Sequence, residues 1–432
     1  MKTAFDKDDS LKVMHVDGPE HRPKTIAEVG IRESILEDIA LKTLYLYGPF
    51  SVADLSDQLR LSYEATDKVF SRLRARMLCE TTGMTATVPM IAITTQGTTR
   101  ALGLLSQNQY SGAVPVSLAS YVAQVRKQGM RNVAVKPSDV ERAFAHLVFD
   151  GEFLAELGSA LNSRNAVFLY GPPGVGKTAA AEAMAKVFAE DEVWIPFAVE
   201  VGSQIITVYD PAIHGAESET DPGNGDRRWV RCKRPTVTVG GELTVEMLDL
   251  QFNPITNFYD GPPQMKANNG VLIIDDFGRQ RISPEDLLNR WVVPLDRRIE
   301  FLTLAGGRKI EIPFEMLVVF ASNRDPRTVL DAAFLRRIQT KIRLGSITEE
   351  QFREIFRRVA RDHRLKMDHD VLNELILIIR NSLKEELRAC QPRDLVNQVC
   401  WNATYEGREP CLDRASLVRA VKAYFLPPSS PT

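Results

Sequence analysis

The chain has 432 residues, 44% of them apolar and 25% charged, with a formal net charge of −2. That length bounds it at two or three domains with enough chain to bury a core unaided, and the balanced charge excludes a global bias toward nucleic acid or anionic membrane. Five cysteines (Cys79, Cys232, Cys390, Cys400 and Cys411) are odd in number, widely spread and free of C-x-x-C spacing. They read as reduced thiols of a cytoplasmic protein, against a metal site or disulfide framework. Residues 1–10 are charged and lack the apolar run of a signal peptide, and no apolar run reaches the length of a membrane span.

Residues 1–25 read as a flexible tail. Ile31, Ile35, Ile39 and Leu46 then mark an amphipathic helix closed by Gly48-Pro49. Ser51 caps a second helix carrying Val52, Leu55 and Leu59, and a third has Ala65, Val69, Leu73 and Met77 on one face. Thr81–Gly97, β-branched and punctuated by Gly83 and Pro89, reads as a two-stranded hairpin, and Thr98–Leu105 returns to helix. Three helices followed by a hairpin over 26–105 resemble a winged helix-turn-helix domain. Its third helix would carry Lys68, Arg72, Arg74 and Arg76 toward DNA. Residues 26–136 hold 12 Lys and Arg against 9 Asp and Glu, a net +3 that is weak for a DNA reader. Docking of a protein partner is therefore the favoured role, with DNA as the alternative.

Residues 106–137, with Gly112, Pro115, Gly129 and Pro137 around a short helical run, read as an interdomain linker, and 26–105 as a separately folding, removable domain. Two helices, from Ser138 and from Gly151, then lead to the apolar run Ala166–Tyr170. The octet Gly171-Pro172-Pro173-Gly174-Val175-Gly176-Lys177-Thr178 follows, and an alanine-rich helix comes next. Strand, glycine loop and helix are the context a phosphate-binding P-loop requires: backbone N–H groups turn inward around the phosphates, and the helix N-terminus adds its dipole. Lys177 would reach the β/γ-phosphates of ATP, and the Thr178 hydroxyl would ligate Mg²⁺.

Val271-Leu272-Ile273-Ile274 reads as a buried parallel strand that delivers Asp275 and Asp276 at its end. Asp275 would hold Mg²⁺ through water and Asp276 would polarise the attacking water. Met316–Asn323 is a further buried strand, ending in an amide able to orient that water. Asp331–Ile338 places Arg336 and Arg337 on a helix, either as a solvated face or as an arginine finger donated to a neighbouring subunit. In Cys390–Leu395, Pro392 suits a helix first turn and leaves Arg393 facing a phosphate.

In order, flanks and spacing, residues 138–425 resemble a AAA+ ATPase. The resemblance implies an α/β core with a parallel sheet over 138–345 and a C-terminal helical lid over 346–426, followed by a short tail, 427–432. It makes Gly171–Thr178 Walker A, Asp275-Asp276 Walker B, Asn323 sensor 1, Arg336 or Arg337 the arginine finger, and Arg393 sensor 2. It also implies a ring-forming homo-oligomer, of the hexamer type, that hydrolyses ATP to remodel a protein partner. A β-hairpin over Arg298–Pro313, turning at Gly306-Gly307, and Asn323-x-x-Pro326 are similar to MoxR-like members. Two features depart from the family pattern. Asp276 stands where Glu is usual, one methylene shorter, which leaves a nucleotide switch of low turnover as a further alternative. Residues 202–262 form a long insertion, read as a hairpin with loops. In it Phe258-Tyr259-Asp260-Gly261 is either a pore loop gripping polypeptide or a packing element.

Overall fold

In the computed structural model, residues 18–19, 21–85, 88–130, 133–215, 225–366 and 369–426 are described. The expected tails therefore lie largely outside the described residues. The described part of 1–25 is anchored: Arg22 donates to the Leu61 carbonyl at 2.7 Å, and the Ser62 hydroxyl donates to Pro23 O at 2.7 Å. The protein is mixed α/β and divides into two compact units. The first comprises Met1–Val133, Phe188–Leu272 and Asp286–Leu317; the second comprises Ala134–Val187, Ile273–Glu285 and Val318–Thr432.

In the first unit, helices Glu33–Tyr47, Val52–Leu59 and Tyr63–Ala75 precede an antiparallel pair, Cys79–Thr85 and Val88–Ile93, and helix Thr95–Gln107. The Ser51 hydroxyl accepts from Asp54 N while the Asp54 carboxylate accepts from Ser51 N, so this capping box fixes where the second helix starts. Leu36, Ile39, Leu55, Leu59, Val69 and Leu73 are buried together. That core does not end at residue 105. Tyr110, Val114, Ala198 and Ile205 belong to it, and Phe258 packs against it. The segment expected as a linker contains helix Leu118–Lys127, whose Tyr121 and Val125 are buried with Val193, Val199 and Trp229 in a second core. Residues 106–133 and the 202–262 insertion are thus built into the same unit as the N-terminal helices. A local apolar pattern shows that a face will be buried but not against what, so the sequence hid this continuity.

The insertion supplies strands Gln204–Thr207, Trp229–Lys233, Thr236–Val239, Gln251–Asn253 and Phe258–Asp260. Phe258–Asp260 pairs parallel with Gln204–Thr207; Tyr259 is buried, and its hydroxyl accepts from Ala305 N at 2.7 Å. The aromatic-Gly motif thus packs into its own unit, with Tyr259 in its core. The hairpin expected near 298–313 is present, with Ile299–Thr303 paired antiparallel to Lys309–Pro313 across Gly306 and Gly307, both at positive φ.

Arg228 ties the unit together. Its guanidinium grips the Asp226 carboxylate, with the shortest contact at 2.7 Å, and donates to Val29 O at 2.8 Å and Pro115 O at 3.2 Å; both side chains are almost fully buried. Arg228→Ala would strand a buried carboxylate and two carbonyls, a loss of about 3–5 kcal/mol. Denaturant titration is expected to show the N-terminal helices and the inserted strands losing stability together. Independent melting of the two would contradict their shared core.

Strands Val271–Ile274, Leu317–Ser322, Val167–Tyr170 and Thr340–Arg343 follow one another in that order within a five-stranded sheet; the second unit contains the last two strands together with Ile273–Ile274 and Val318–Ser322. The last three run parallel, in a register that sets Ser322, Tyr170 and Arg343 level at their C-terminal ends. Phe168, Phe277 and Phe320 pack ring to ring beneath those ends, with centroids 5.1–6.0 Å apart. Helices Glu349–Asp362, His369–Leu377, Gln391–Tyr405 and Arg414–Tyr424 enclose a separate core around Phe352, Phe356, Leu395 and Val399.

Candidate functional site

The site lies in the second unit, at the C-terminal ends of the parallel strands, where open α/β sheets place their ligands. Strand Val167–Tyr170 turns at Gly171, and helix Lys177–Lys186 begins after Gly176. A Cβ on Gly171 would stand 1.9 Å from Leu344 O, so only glycine fits there. Gly174 and Gly176 have φ of 79° and 95°, the left-handed conformations that turn loop N–H groups inward.

Lys177 is buried. Its Nζ donates to Gly171 O at 3.1 Å, to Pro172 O at 2.8 Å and to Asn323 Oδ1 at 2.6 Å. Burial pushes its pKa below the usual lysine value, against the pull of Asp276 and Asp275. The Thr178 hydroxyl donates to the Asp275 carboxylate at 3.0 Å. Asn323 Nδ2 donates to Asp276 Oδ1 at 2.8 Å. The amide of Asn323 thus bridges Lys177 and Asp276, joining the loop, the carboxylate pair and the sensor strand in one network. Backbone contacts hold its frame: Phe277 N donates to Ala321 O at 2.7 Å, and the Ser322 hydroxyl to Phe277 O at 2.7 Å. Asp276 has φ +50°, an uncommon conformation for a non-glycine residue that re-aims its side chain relative to the strand.

These residues fit a nucleotide and a divalent cation. The loop offers glycines whose positive φ lets backbone N–H groups turn toward an anion, one ammonium and a hydroxyl–carboxylate pair of hard oxygen donors. Thr178 and Asp275 would hold Mg²⁺, and Gly171–Thr178 the phosphates.

The arginines are placed less as expected. Arg337 lies over the Phe334 ring at 5.4 Å and donates to Ala333 O at 3.3 Å, so it packs on its own helix. Arg336 is exposed and, among the described residues, has no hydrogen bond or ion pair. Arg393 is 67% exposed and contacts Asp394 at 3.2 Å. The arginine lying against the loop is Arg388, which sequence reasoning missed. Its Cδ lies 3.7 Å from where a Cβ on Gly174 would stand, and its buried Nε has no partner. Cys390 N donates to Gly174 O at 3.1 Å beside it. The only sequence signal was proximity to the Pro392 helix start.

In the first unit, the basic helix is partly neutralised. Arg72 pairs with Glu33 and with the buried Glu37, each at 2.7 Å, and Arg76 pairs with Glu37 at 2.7 Å.

A family model described as a domain of unknown function, DUF8689, matches residues 348–423. No curated protein matches the chain. Among solved structures, the chain is similar to NtrX from Brucella abortus in complex with ADP, at 14% identity and a TM-score of 0.40 over 68% of this chain. A second NtrX structure gives a TM-score of 0.41. The chain spans 59% and 58% of those two chains' lengths. The RuvB Holliday junction branch migration motor of Thermotoga maritima matches at 14% identity and a TM-score of 0.37, over 64% of this chain and 70% of that one. No helix among the described residues is long and apolar enough to cross a membrane.

Proposed function

We propose that this protein is an ATPase of the AAA+ type, hydrolysing ATP to ADP and phosphate at the site formed by Lys177, Thr178, Asp275, Asp276 and Asn323. The observation that carries the reading is the hydrogen-bonded chain from Lys177 through Asn323 to Asp276, with Thr178 and Asp275 paired beside it. In the reaction a water oxygen attacks the γ-phosphorus, the bond to the β–γ bridging oxygen breaks, and its electron pair stays on ADP. Asp276 takes the water proton, and Asn323 fixes the orientation of that carboxylate. Lys177 exchanges its loop carbonyls for phosphate oxygens, a gain because a carbonyl is a weaker partner for an ammonium than an anion is. Mg²⁺, where Thr178 and Asp275 would hold it, would supply positive charge to the phosphate oxygens. Arg388, against the loop, is a second cation for the phosphate chain alongside the motif-matched Arg393.

Lys177→Ala tests the reading. Removing about two charge-assisted bonds costs roughly 3 kcal/mol, on the order of a 100-fold weaker affinity for ATP. A fluorescent ATP analogue reads this directly; unchanged affinity would remove the P-loop from the mechanism.

The second half of the proposal is remodelling of a protein partner by a homo-oligomeric ring, with Arg336 as the finger acting in trans and the N-terminal helices, read as a winged helix, as the docking module. The DNA alternative is weakened by one observation. Two of the four basic residues on its reading helix, Arg72 and Arg76, are held by Glu33 and Glu37. Salt-dependent binding of duplex DNA at physiological ionic strength would restore that alternative.

A further inference from the structure

Beside the P-loop lies a cavity of about 300 Å³, walled by Gly171, Pro172 and Asn323 and carrying three arginines, Arg324, Arg327 and Arg343. One carboxylate, Asp325, also lines it. Arg327 holds that carboxylate most closely, with its Nε at 2.9 Å from one oxygen and its terminal nitrogen at 2.6 Å from the other, and Arg343 acts on the same charge from farther away. Arg324 and Arg343 have no side-chain hydrogen bond or ion pair among the described residues. Three guanidinium groups thus share one carboxylate in a concave space, a surplus of positive charge that an oxyanion relieves.

The topology explains the convergence. The P-loop strand is flanked by parallel strands on both sides, in a register that levels Ser322, Tyr170 and Arg343. Arg324 follows Ser322 by two residues, so the sheet brings Arg324 and Arg343 to either side of the loop. Asn323 both lines this cavity and binds Lys177 Nζ, so the cavity adjoins the lysine from the side of the sensor strand.

We propose that this cavity is a second oxyanion site, adjoining the nucleotide cradle and sharing Gly171, Pro172 and Asn323 with it, whose ligand is free inorganic phosphate. The inference rests on the nucleotide reading of the P-loop, because phosphate liberated there would leave past Lys177 and Asn323. Guanidinium forks match tetrahedral oxyanions through paired N–H donors, which favours phosphate over chloride. Held there, phosphate inhibits turnover by slowing its own release.

The test titrates inorganic phosphate into full-length, ADP-loaded protein, with ³¹P line broadening as the readout; ADP fills the α- and β-phosphate positions of the P-loop, and phosphate seated in the open γ position is told apart because it is indifferent to Arg324→Gln and Arg343→Gln. Saturable binding is expected in the wild type. In Arg324→Gln and Arg343→Gln the phosphate Kd is expected to rise about tenfold each, the loss of about one charge-assisted contact, with ADP affinity kept. Arg343→Lys, which keeps the charge but loses the fork, should fall between wild type and Arg343→Gln. Absence of saturable phosphate binding to the ADP-loaded wild type overturns the proposal, as does binding indifferent to both Gln variants. Failure of ADP itself to bind would instead overturn the nucleotide reading, so the two failures are told apart.

Discussion

Asp276→Asn is expected to bind ATP as tightly as the wild type and to hydrolyse it about 100-fold more slowly or worse. The amide is nearly isosteric with the carboxylate, so the site's shape survives. Asp275 and Thr178, paired at 3.0 Å, are untouched and keep the metal-binding oxygens in place. What is lost is the group that accepts the water proton, a contribution of typically 10²–10⁴ in rate. A second effect adds to it. Asn323 Nδ2 now donates to Asp276 Oδ1 at 2.8 Å. Against an asparagine the pair must settle into one of two amide orientations, and the wrong one opposes two N–H₂ groups. Asp276→Glu sharpens the argument. The amide of Asn323 is already in contact with the shorter side chain, so an added methylene displaces it. Turnover is expected to fall and not rise, although Glu is the usual residue at this place in the family that the sequence resembles. Single-turnover phosphate release with nucleotide binding measured in parallel checks both variants. Wild-type turnover in Asp276→Asn would place the base elsewhere.

What the sequence disclosed and what it concealed divide along a physical line. The glycine loop Gly171–Thr178, the Asp275-Asp276 pair and Asn323, which the structure brings together, were legible because each depends on residue types whose local chemistry is unusual. Glycines permit positive φ, as Gly174 and Gly176 show, and a buried apolar strand ending in carboxylates has few other uses. The meeting of Lys177 with Asn323, 146 residues apart, follows once the strand order is known. The arginines were not legible in this way. Which face of a short helix a residue takes, and whether a ring such as Phe334 lies within reach of it, is decided by tertiary packing. Arg388 and Arg343 occupy no motif and enter the picture only through register and close approach. The core shared by the N-terminal helices and the later strands stayed hidden for the same reason: Ala198 and Ile205 look like ordinary strand residues until their partners are seen.

Arg336→Ala is expected to leave nucleotide binding intact and to reduce ATPase activity on the order of 10³-fold, the scale of a lost arginine finger. Arg336 and Arg337 are adjacent on helix Ala332–Arg337, so their side chains diverge by roughly 100°. Position alone favours Arg337, the residue nearer the helix end. The packing reverses that preference. Arg337 spends its guanidinium on the Phe334 face at 5.4 Å and on Ala333 O, contacts worth about 0.5–1 kcal/mol that hold it to its own helix. Arg336 carries no such tie among the described residues and is exposed. A charge kept free of internal partners is the one available to a phosphate on another subunit. Arg337→Ala should therefore act mainly on the stability of its short helix. Complementation separates a finger acting in trans from one acting in cis. Lys177→Ala subunits keep their arginines, and Arg336→Ala subunits keep their P-loops. In a mixed ring, an intact P-loop placed beside an intact arginine recovers part of the lost activity. Mixtures as inactive as either variant alone, in an oligomer that sedimentation shows to assemble, would exclude a finger in trans; recovery with Arg337→Ala subunits but not with Arg336→Ala would return the role to Arg337.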